Sequence, residues 1–269
     1  MYQLGFIGVG NMGGALARAA GTATTPKQII VANRTPAKAA ALAQELGCAA
    51  GDAKTVAATA KYIFLGVKPK DMAPCLEDIA PVLVHREQEQ DRFVLVSMAA
   101  GLDTAAIQRL AGHPWPVIRL CPNTPVGVGK GLVAWCERDT RPGDAQTLIE
   151  AMAGAGLWDA CPENLMDAAS VIGGCTPAFA YMFIEALADG AVACGMPRAK
   201  ALDYAAAAVE GAAALARADG RHPGALKDAV CSPGGSTIQG VLTLERSAFR
   251  AAASDAVIAA VEKTKTMGK

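Results

Sequence analysis

The residues whose types and spacing most clearly favour chemistry form a glycine turn late in the chain. The sequence Ser-Pro-Gly-Gly-Ser-Thr begins at Ser232, and the residues from Ser236 onward predict the first turns of a helix. Two successive residues without a Cβ, Gly234 and Gly235, permit a tight turn before that helix. Free backbone N–H groups at a helix start bind anions, so this turn is predicted to hold a carboxylate or phosphate, with the Ser232 and Thr237 hydroxyls within reach. The alternative is an ordinary cap, with Ser236 capping the helix after a glycine turn.

A second anion-binding loop is predicted at the start of the chain. The sequence Gly-Val-Gly-Asn-Met-Gly at residues 8–13 follows a short apolar strand, residues 3–7, and opens an Ala/Leu-rich helix. In this context the pattern indicates dinucleotide binding: Gly8 permits the turn, Gly10 lets the backbone approach a pyrophosphate, and Gly13 lets the helix pack on the strand. Two such loops favour a protein that binds two anionic molecules.

The end of the second predicted strand, residues 28–33, bears on the choice of dinucleotide. A site for plain NAD has an acidic residue here that binds the ribose hydroxyls. This chain instead has Asn33 and Arg34, with Lys38 one turn into the next helix. An amide followed by cations favours the additional phosphate of NADP. The alternative is that Arg34 and Lys38 are solvated surface charges.

Composition is typical of a soluble enzyme. The chain has 269 residues, and its 25 Lys and Arg balance its 25 Asp and Glu, so no net field attracts nucleic acid or an acidic membrane. The N-terminus enters a strand directly, which leaves no room for a signal peptide. The longest apolar stretch, residues 168–184, is interrupted by Gly-Gly and Thr-Pro and is interpreted as a buried helix rather than a membrane span.

Cysteine and histidine usage points to a cytoplasmic protein without a metal. The eight cysteines never approach CxxC spacing, which favours reduced thiols in a cytosol and, with only three scattered histidines, argues against a zinc site. The histidines are predicted to lie in loop-like segments and none falls in a motif.

The pattern of elements predicts two domains, residues 1–162 and 163–269. Apolar runs at 62–67, 93–97, 116–120 and 131–135 alternate with helical patterns, which predicts a Rossmann-type, doubly wound parallel sheet covered on both faces. After residue 162 no strand candidate remains, so the C-terminal domain is predicted to be all-α. Thr176-Pro177 is interpreted as the start of a helix to about Cys194, and Met196-Pro197 as the start of another to about Ala218. The continuous apolar runs on these helices predict a homodimer through this half.

The order and spacing of five motifs resemble the pyrroline-5-carboxylate reductase family along essentially the whole chain. The motifs are residues 6–13, Asn33-Arg34, Val67-Lys68-Pro69, Pro122-Asn123-Thr124-Pro125 and the segment from Asp228 to Gly235. The resemblance implies reduction of 1-pyrroline-5-carboxylate to L-proline, with NADPH as cofactor and NADH possible. It also implies a C-terminal domain that dimerises by interlocking, often with dimers arranged in a larger ring.

The resemblance also carries over site residues by position. Those expected to line the cofactor are Gly8, Gly10, Asn11, Met12, Asn33, Arg34, Gly66, Val67, Lys68, Pro69, Ala99 and Asn123. Those expected to hold the substrate are Ser232, Gly234, Gly235, Ser236 and Thr237, with the Thr237 hydroxyl as the catalytic group.

Two segments depart from the family pattern. Residues 173–179 read Gly-Gly-Cys-Thr-Pro-Ala-Phe where the family usually has Ser-Gly-Ser-Gly-Pro-Ala-Tyr, and the missing hydroxyls could alter a pocket wall or a helix cap. Asp52 stands where an asparagine often contacts the adenosine side of the cofactor, and an acid there weakens the argument for NADP.

The chemistry also fits a cyclic imine without reference to the family. Such a substrate can arrive already protonated, so the site needs correct positions more than acid–base groups. Thr237 can orient the imine nitrogen while the Gly234-Gly235 turn fixes the carboxylate. One alternative is a beta-hydroxyacid dehydrogenase, whose catalytic lysine would lie in residues 176–194, a stretch without lysine. Another is a non-catalytic dinucleotide sensor, against which the intact Thr237 argues and for which the altered residues 173–176 argue.

Overall fold

A computed structural model describes residues 1–267. By contacts the chain divides into two compact units, one of Met1–Cys175 with the segment that begins at Ala260, the other of Thr176–Ala259. This division falls within a continuous helix. The predicted domain boundary after residue 162 stays a prediction.

The first unit is built on an eight-stranded sheet with the order β3-β2-β1-β4-β5-β6-β7-β8. The strands are β1 Tyr2–Ile7, β2 Ile29–Ala32, β3 Ala49–Gly51, β4 Ala60–Leu65, β5 Val94–Ser97, β6 Val117–Pro122, β7 Gly131–Arg138 and β8 Gly156–Ala160. Neighbouring strands are parallel except for β6 and β7. Because β1 lies between β2 and β4, the strand order reverses there, and a sheet of this kind binds ligands at the carboxyl ends of those strands.

Helices cover both faces of the sheet, which is why strands such as Ile29–Ala32 and Val94–Ser97 are buried at every position. They are α1 Asn11–Ala23, α2 Pro36–Leu46, α3 Ala53–Thr59, α4 Met72–Gln88, α5 Thr104–Ala111 and α6 Asp144–Ala151. Successive residues of β1 enter different cores: Phe6 packs in one buried cluster and stacks on Phe64 at 4.3 Å, whereas Ile7 packs in the other. The predicted doubly wound sheet is confirmed, except that the strand predicted at residues 131–135 runs antiparallel to its neighbour β6.

The rest of the described chain is helical, as predicted. It comprises α7 Met166–Ala193, α8 Arg198–Asp219, α9 Pro223–Ala229, α10 Ser236–Arg246 and α11 Phe249–Met267. The predicted starts of α8 after Met196-Pro197 and of α10 at Ser236 are confirmed within a residue or two.

The predicted start of a helix at Thr176-Pro177 is wrong, because Pro177 lies inside α7. A proline has no N–H, so the carbonyl four residues earlier, that of Gly173, loses its intrahelical donor. The side-chain amide of Asn123 donates to that carbonyl at 3.1 Å instead. A tertiary contact therefore lets the helix continue through the proline, and residues 173–179 form no helix cap.

The apolar character of α7 is only partly matched by burial. Among residues 1–267, one helical stretch, Glu163–Ala193, is long and apolar enough to cross a membrane, with a mean hydropathy of 1.5 in its most apolar window. Only 17% of that window is buried in the single chain, so the predicted burial of this helix is wrong. Large exposed apolar patches of this kind are typical of surfaces that bind other proteins.

Candidate dinucleotide and substrate sites

The glycine loop after β1 is fixed by the ends of the two neighbouring strands. The Gly8 N–H donates to the carbonyl of Ala32 in β2, and the Gly66 N–H donates to the carbonyl of Ile7, each at 2.8 Å. Helix α1 then packs directly on this loop, because a Cβ added to Gly13 would lie 2.1 Å from the Gly8 carbonyl oxygen. The close helix–strand packing predicted at Gly13 is confirmed.

The N-terminus of α1 has the features that bind a pyrophosphate. Gly10 is the N-cap, no side chain of the described residues caps the helix, and its first turn has no acidic residue. A Cβ added to Gly10 would meet no atom within 4 Å, so the space above the loop is open to a ligand. The N–H groups that begin at Asn11 and Met12 can therefore bind an anion. These features fit the dinucleotide predicted from the sequence.

The end of β2 presents one amide and one exposed cation. The Asn33 Oδ1 atom accepts a hydrogen bond from the Val9 N–H at 3.2 Å, which ties this strand end to the glycine loop. The Arg34 side chain is 89% exposed, and its Nη1 atom lies 3.8 Å from Asp71 Oδ1. An exposed ion pair of this kind contributes little to stability, so Arg34 can exchange Asp71 for a phosphate.

Asp52, which weakens the argument for NADP, has a structural role in α3. Its Oδ1 atom accepts a hydrogen bond from the Thr55 N–H at 2.7 Å and so caps the helix. Hydrogen bonds from Thr55 hold the pKa of the Asp52 carboxyl below its usual value. The acid at this position is explained by the cap alone.

The remaining predicted cofactor residues follow β4 and β5 at the same edge of the sheet. Because Leu65 of β4 is in register with Ser97 of β5, the segments after these strands lie next to each other. Lys68 is exposed and begins the short helical turn Pro69–Asp71, after Gly66 and Val67. Ala99 is buried, and its N–H donates to Ser97 Oγ at 3.3 Å.

Asn123 differs from the other predicted cofactor residues because its side chain is engaged within the protein. It is only 8% exposed, its Nδ2 atom donates to the Gly173 carbonyl at 3.1 Å, and its Oδ1 atom accepts from the Leu132 N–H at 2.9 Å. Asn123 thus connects the end of β6 to β7 and to α7.

The sequence analysis did not predict that one face of β6 contacts the start of α7 and the short turn before it, Glu163–Leu165. The buried Arg119 pairs with Glu163 at 2.8 Å and with Asp167 at 3.1 Å, and Cys121 Sγ lies 3.7 Å from the Met166 carbonyl oxygen. Asn123 continues the series toward Gly173. Polar residues at every second position of a strand were the signal that could have predicted this face.

In the second unit, the predicted turn before α10 is present. Gly234 has a φ of +70°, and the Gly235 N–H donates to the Ser232 carbonyl at 3.0 Å. A Cβ added to Gly235 would lie 2.5 Å from Ser232 Oγ, so a side chain at this position would displace that hydroxyl. Gly235, not Ser236, is the N-cap, and no side-chain hydrogen bond from the described residues caps α10. The alternative in which Ser236 caps the helix is therefore wrong.

The hydroxyls of this turn remain available to a ligand. Ser232, Ser236 and Thr237 are all exposed in the single chain. The first N–H groups of α10, those of Ser236 and Thr237, have no intrahelical acceptor. The turn can therefore offer backbone N–H groups and hydroxyls to one small anion.

Each of the three histidines has a structural explanation. His85 lies within α4, so its predicted loop position is wrong. His113 stacks on Trp115 with ring centroids 4.4 Å apart, and His222 caps α9 by accepting the Gly224 N–H at its Nδ1 atom. None of these positions belongs to a predicted site.

Comparisons with known proteins agree with both halves of the chain. A family model described as pyrroline-5-carboxylate reductase dimerisation matches residues 163–267, and one described as NADP oxidoreductase coenzyme F420-dependent matches residues 3–101. The pyrroline-5-carboxylate reductase of Escherichia coli (strain K12) is 40% identical, with 99% of this chain and 98% of that protein covered. The pyrroline-5-carboxylate reductase of Pisum sativum is 35% identical, with 99% and 96% covered.

Solved structures give the same result for the fold. The crystal structure of Plasmodium falciparum pyrroline carboxylate reductase with NADP bound matches with a TM-score of 0.87 and 28% identity, covering 100% of this chain and 98% of that one. A pyrroline-5-carboxylate reductase from Coxiella burnetii also matches with a TM-score of 0.87, at 27% identity, covering 100% and 99%.

Proposed function

This chain belongs to the pyrroline-5-carboxylate reductase family, and we propose that it reduces 1-pyrroline-5-carboxylate to L-proline with NADPH. The observation that carries the proposal is the uncapped N-terminus of α10 behind the Gly234-Gly235 turn. Its N–H groups suit the carboxylate of an imino acid, while the loop after β1 suits a dinucleotide. The family accounts for both anion-binding features at once.

The cofactor is held mainly by backbone groups. The pyrophosphate binds the N–H groups at the start of α1, and Asn33 keeps the end of β2 beside that loop. Arg34 binds the 2′-phosphate that distinguishes NADPH from NADH, which its high exposure supports. When bound, the nicotinamide supplies the hydride for the reaction.

The substrate is held by the turn before α10. The N–H groups of Ser236 and Thr237 bind its carboxylate, and Ser232 adds a hydroxyl beside them. The Thr237 hydroxyl then orients the imine nitrogen. A protonated imine is already electrophilic, so these residues accelerate the reaction by fixing positions rather than by moving protons. This explains a site without histidine.

The exposed apolar residues of the helical half support a homodimer. Large apolar side chains exposed in the single chain include Tyr181, Met182 and Leu187 of α7, Tyr204 and Leu215 of α8, and Phe249 and Ile258 of α11. A homodimer through these helices buries such surface, as the match to a dimerisation family supports. Dimers of this kind can assemble further into a ring. The cellular location is a separate point: the eight cysteines are all free, which suits the reducing cytoplasm.

Steady-state reduction of two cyclic imino acids, with five- and six-membered rings, tests the proposal when each is assayed with NADPH and with NADH. We expect robust turnover of 1-pyrroline-5-carboxylate and preference for NADPH. Robust oxidation of a beta-hydroxyacid without imine turnover would overturn the proposal. Tight NADPH binding without any turnover would instead indicate a sensor.

A further inference from the structure

The interruption of α7 at Pro177 is repaired by a residue from the sheet. Helix α7 is continuous over 28 residues although Pro177 cannot donate to the carbonyl of Gly173. That carbonyl is buried with its residue, and a buried acceptor without a donor destabilises a fold. Asn123 Nδ2, 3.1 Å away, is the donor that replaces the missing backbone N–H.

The orientation of the Asn123 side chain is fixed by its other contact. Its Oδ1 atom accepts the Leu132 N–H at 2.9 Å, so its Nδ2 atom must face Gly173. A rotated amide would place a carbonyl against a carbonyl and an N–H against an N–H. One side chain thereby couples the first residues of β7 to the proline break in α7.

Asn123 is also the last of a series on one face of β6. Arg119 pairs with Glu163 and Asp167. Cys121 lies beside Met166. With Asn123, this face of the sheet therefore contacts α7 from its N-terminal end to Gly173. Beyond Gly173, α7 continues into the second unit. Among these contacts, that of Asn123 lies nearest Pro177 in the helix. At this point α7 lacks the backbone hydrogen bond from residue 177 to the Gly173 carbonyl.

We infer that Asn123 is a positioning residue for the reaction, acting through α7 rather than by direct side-chain contact with the cofactor. The inference rests on the proposed function. Helix α7 connects the unit with the dinucleotide loop to the unit with the substrate turn. By closing the hydrogen-bonding gap at Pro177, Asn123 keeps α7 helical through this point of the chain, and hydride transfer is sensitive to small displacements.

The test uses Asn123→Ala, Pro177→Ala and the double variant, all in the full-length chain. Alanine at 177 restores an N–H that can donate to the Gly173 carbonyl within the helix, so the Asn123 donor becomes dispensable. Asn123→Ala also removes the acceptor for Leu132, but that loss is common to both backgrounds and cancels in the double-mutant cycle.

Asn123→Ala is expected to lower kcat by about tenfold or more, which corresponds to one lost hydrogen bond, and to leave the KM for NADPH within about twofold. Adding Pro177→Ala is expected to recover the part of the kcat and of the urea unfolding midpoint that depends on the Gly173 carbonyl, whereas the part due to Leu132 remains lost in both backgrounds. Pro177→Ala alone is expected to retain near wild-type kcat. A rise in the KM for NADPH of about tenfold with kcat retained, equal in both backgrounds, would show direct cofactor binding and overturn the inference.

Two further outcomes remain informative. If Asn123→Ala is insoluble, the inference still requires a soluble and active double variant, and an equally insoluble one overturns it. If the wild-type protein reduces no imine, the proposed function fails, but the unfolding cycle still measures the coupling between Asn123 and Pro177. Additive unfolding midpoints would then contradict the hydrogen bond's role.

Discussion

The Gly235 N–H donates to the Ser232 carbonyl across 3.0 Å, and this hydrogen bond closes the turn from which α10 begins. It brings the Ser232 hydroxyl within 2.5 Å of where a Cβ on Gly235 would lie. The position of the Ser232 hydroxyl therefore depends on the absence of a side chain at Gly235. The predictions for the substrate site follow from that dependence.

Gly235→Ala is expected to displace the Ser232 hydroxyl, because the added Cβ overlaps that oxygen. We expect the KM for the imine to rise about tenfold, as for the loss of one charge-assisted hydrogen bond, with unchanged NADPH affinity. Gly240→Ala is the matched control in the same helix, since its Cβ would meet no atom within 4 Å. A control variant impaired as strongly as Gly235→Ala would show that the effect is general to α10.

Thr237→Ala is expected to lower turnover by about tenfold or more, the equivalent of about 1.4 kcal/mol at the reacting centre, without changing NADPH affinity. Because no side chain of residues 1–267 caps α10, the free energy of unfolding should stay within about 0.5 kcal/mol or rise slightly. Thr237→Ser keeps the hydroxyl and should recover much of the rate. Normal turnover with a lowered melting temperature in Thr237→Ala would instead assign this hydroxyl to helix stability.

Arg34→Ala is expected to weaken NADPH binding by about 1.5–3 kcal/mol and NADH binding far less, because NADPH alone has the 2′-phosphate. Isothermal titration of both cofactors measures the difference. Asp71→Asn is the companion variant: it removes the partner 3.8 Å from Arg34 and should not weaken NADPH. Equal losses of both cofactors in Arg34→Ala would mean that this arginine is only a surface charge.

Glu163→Gln is expected to alter the pH dependence of stability. Burial raises the pKa of Glu163, but hydrogen bonds from Thr104 and Arg119 and the charge of Arg119 outweigh it, so the pKa lies below its usual value. The ionised form therefore stabilises the fold above the ordinary glutamate pKa of about 4.3, and this contribution is lost as the pH falls through the lowered value.

At pH 7 we expect Glu163→Gln to reduce the free energy of unfolding by about 1–2 kcal/mol, a range discounted for its partial exposure. The difference from wild type should shrink as the pH falls below the ordinary glutamate pKa of about 4.3 and through the lowered folded-state pKa, below which Glu163 is protonated in both states. Urea unfolding across pH measures it, with the exposed Glu77→Gln of α4 as control. A difference independent of pH would contradict a role for the ionised carboxylate.

The sequence predicted those parts of the molecule that local physics determines. Continuous apolar runs identify buried parallel strands, and glycine spacing identifies the loop at Gly8 and the turn at Gly234. The short strand β3 and the largely exposed β8 have no such run and were missed. The antiparallel β7 follows β6 through a short turn at Thr124–Val128, without the crossover helix that a parallel strand needs.

Tertiary contacts account for the main errors. A Thr-Pro pair predicts a helix start, and only a donor 50 residues earlier in the chain lets α7 pass through Pro177. The same contact explains why Asn123, predicted from the family resemblance to line the cofactor, has its side chain engaged elsewhere. The sequence predicted a buried helix at residues 168–184 and a homodimer through the helical half, but a single sequence does not show which of these apolar residues stay exposed in the single chain.

The most direct test of imine reduction follows the hydride itself. NADPH carrying deuterium in both positions at C4 of the nicotinamide is incubated with 1-pyrroline-5-carboxylate and the wild-type protein, and the product is analysed by mass spectrometry and NMR. We expect L-proline with one deuterium at C5, the former imine carbon, formed in equal amount to the NADPH consumed. Proline without deuterium, or NADPH bound but not consumed, would contradict it.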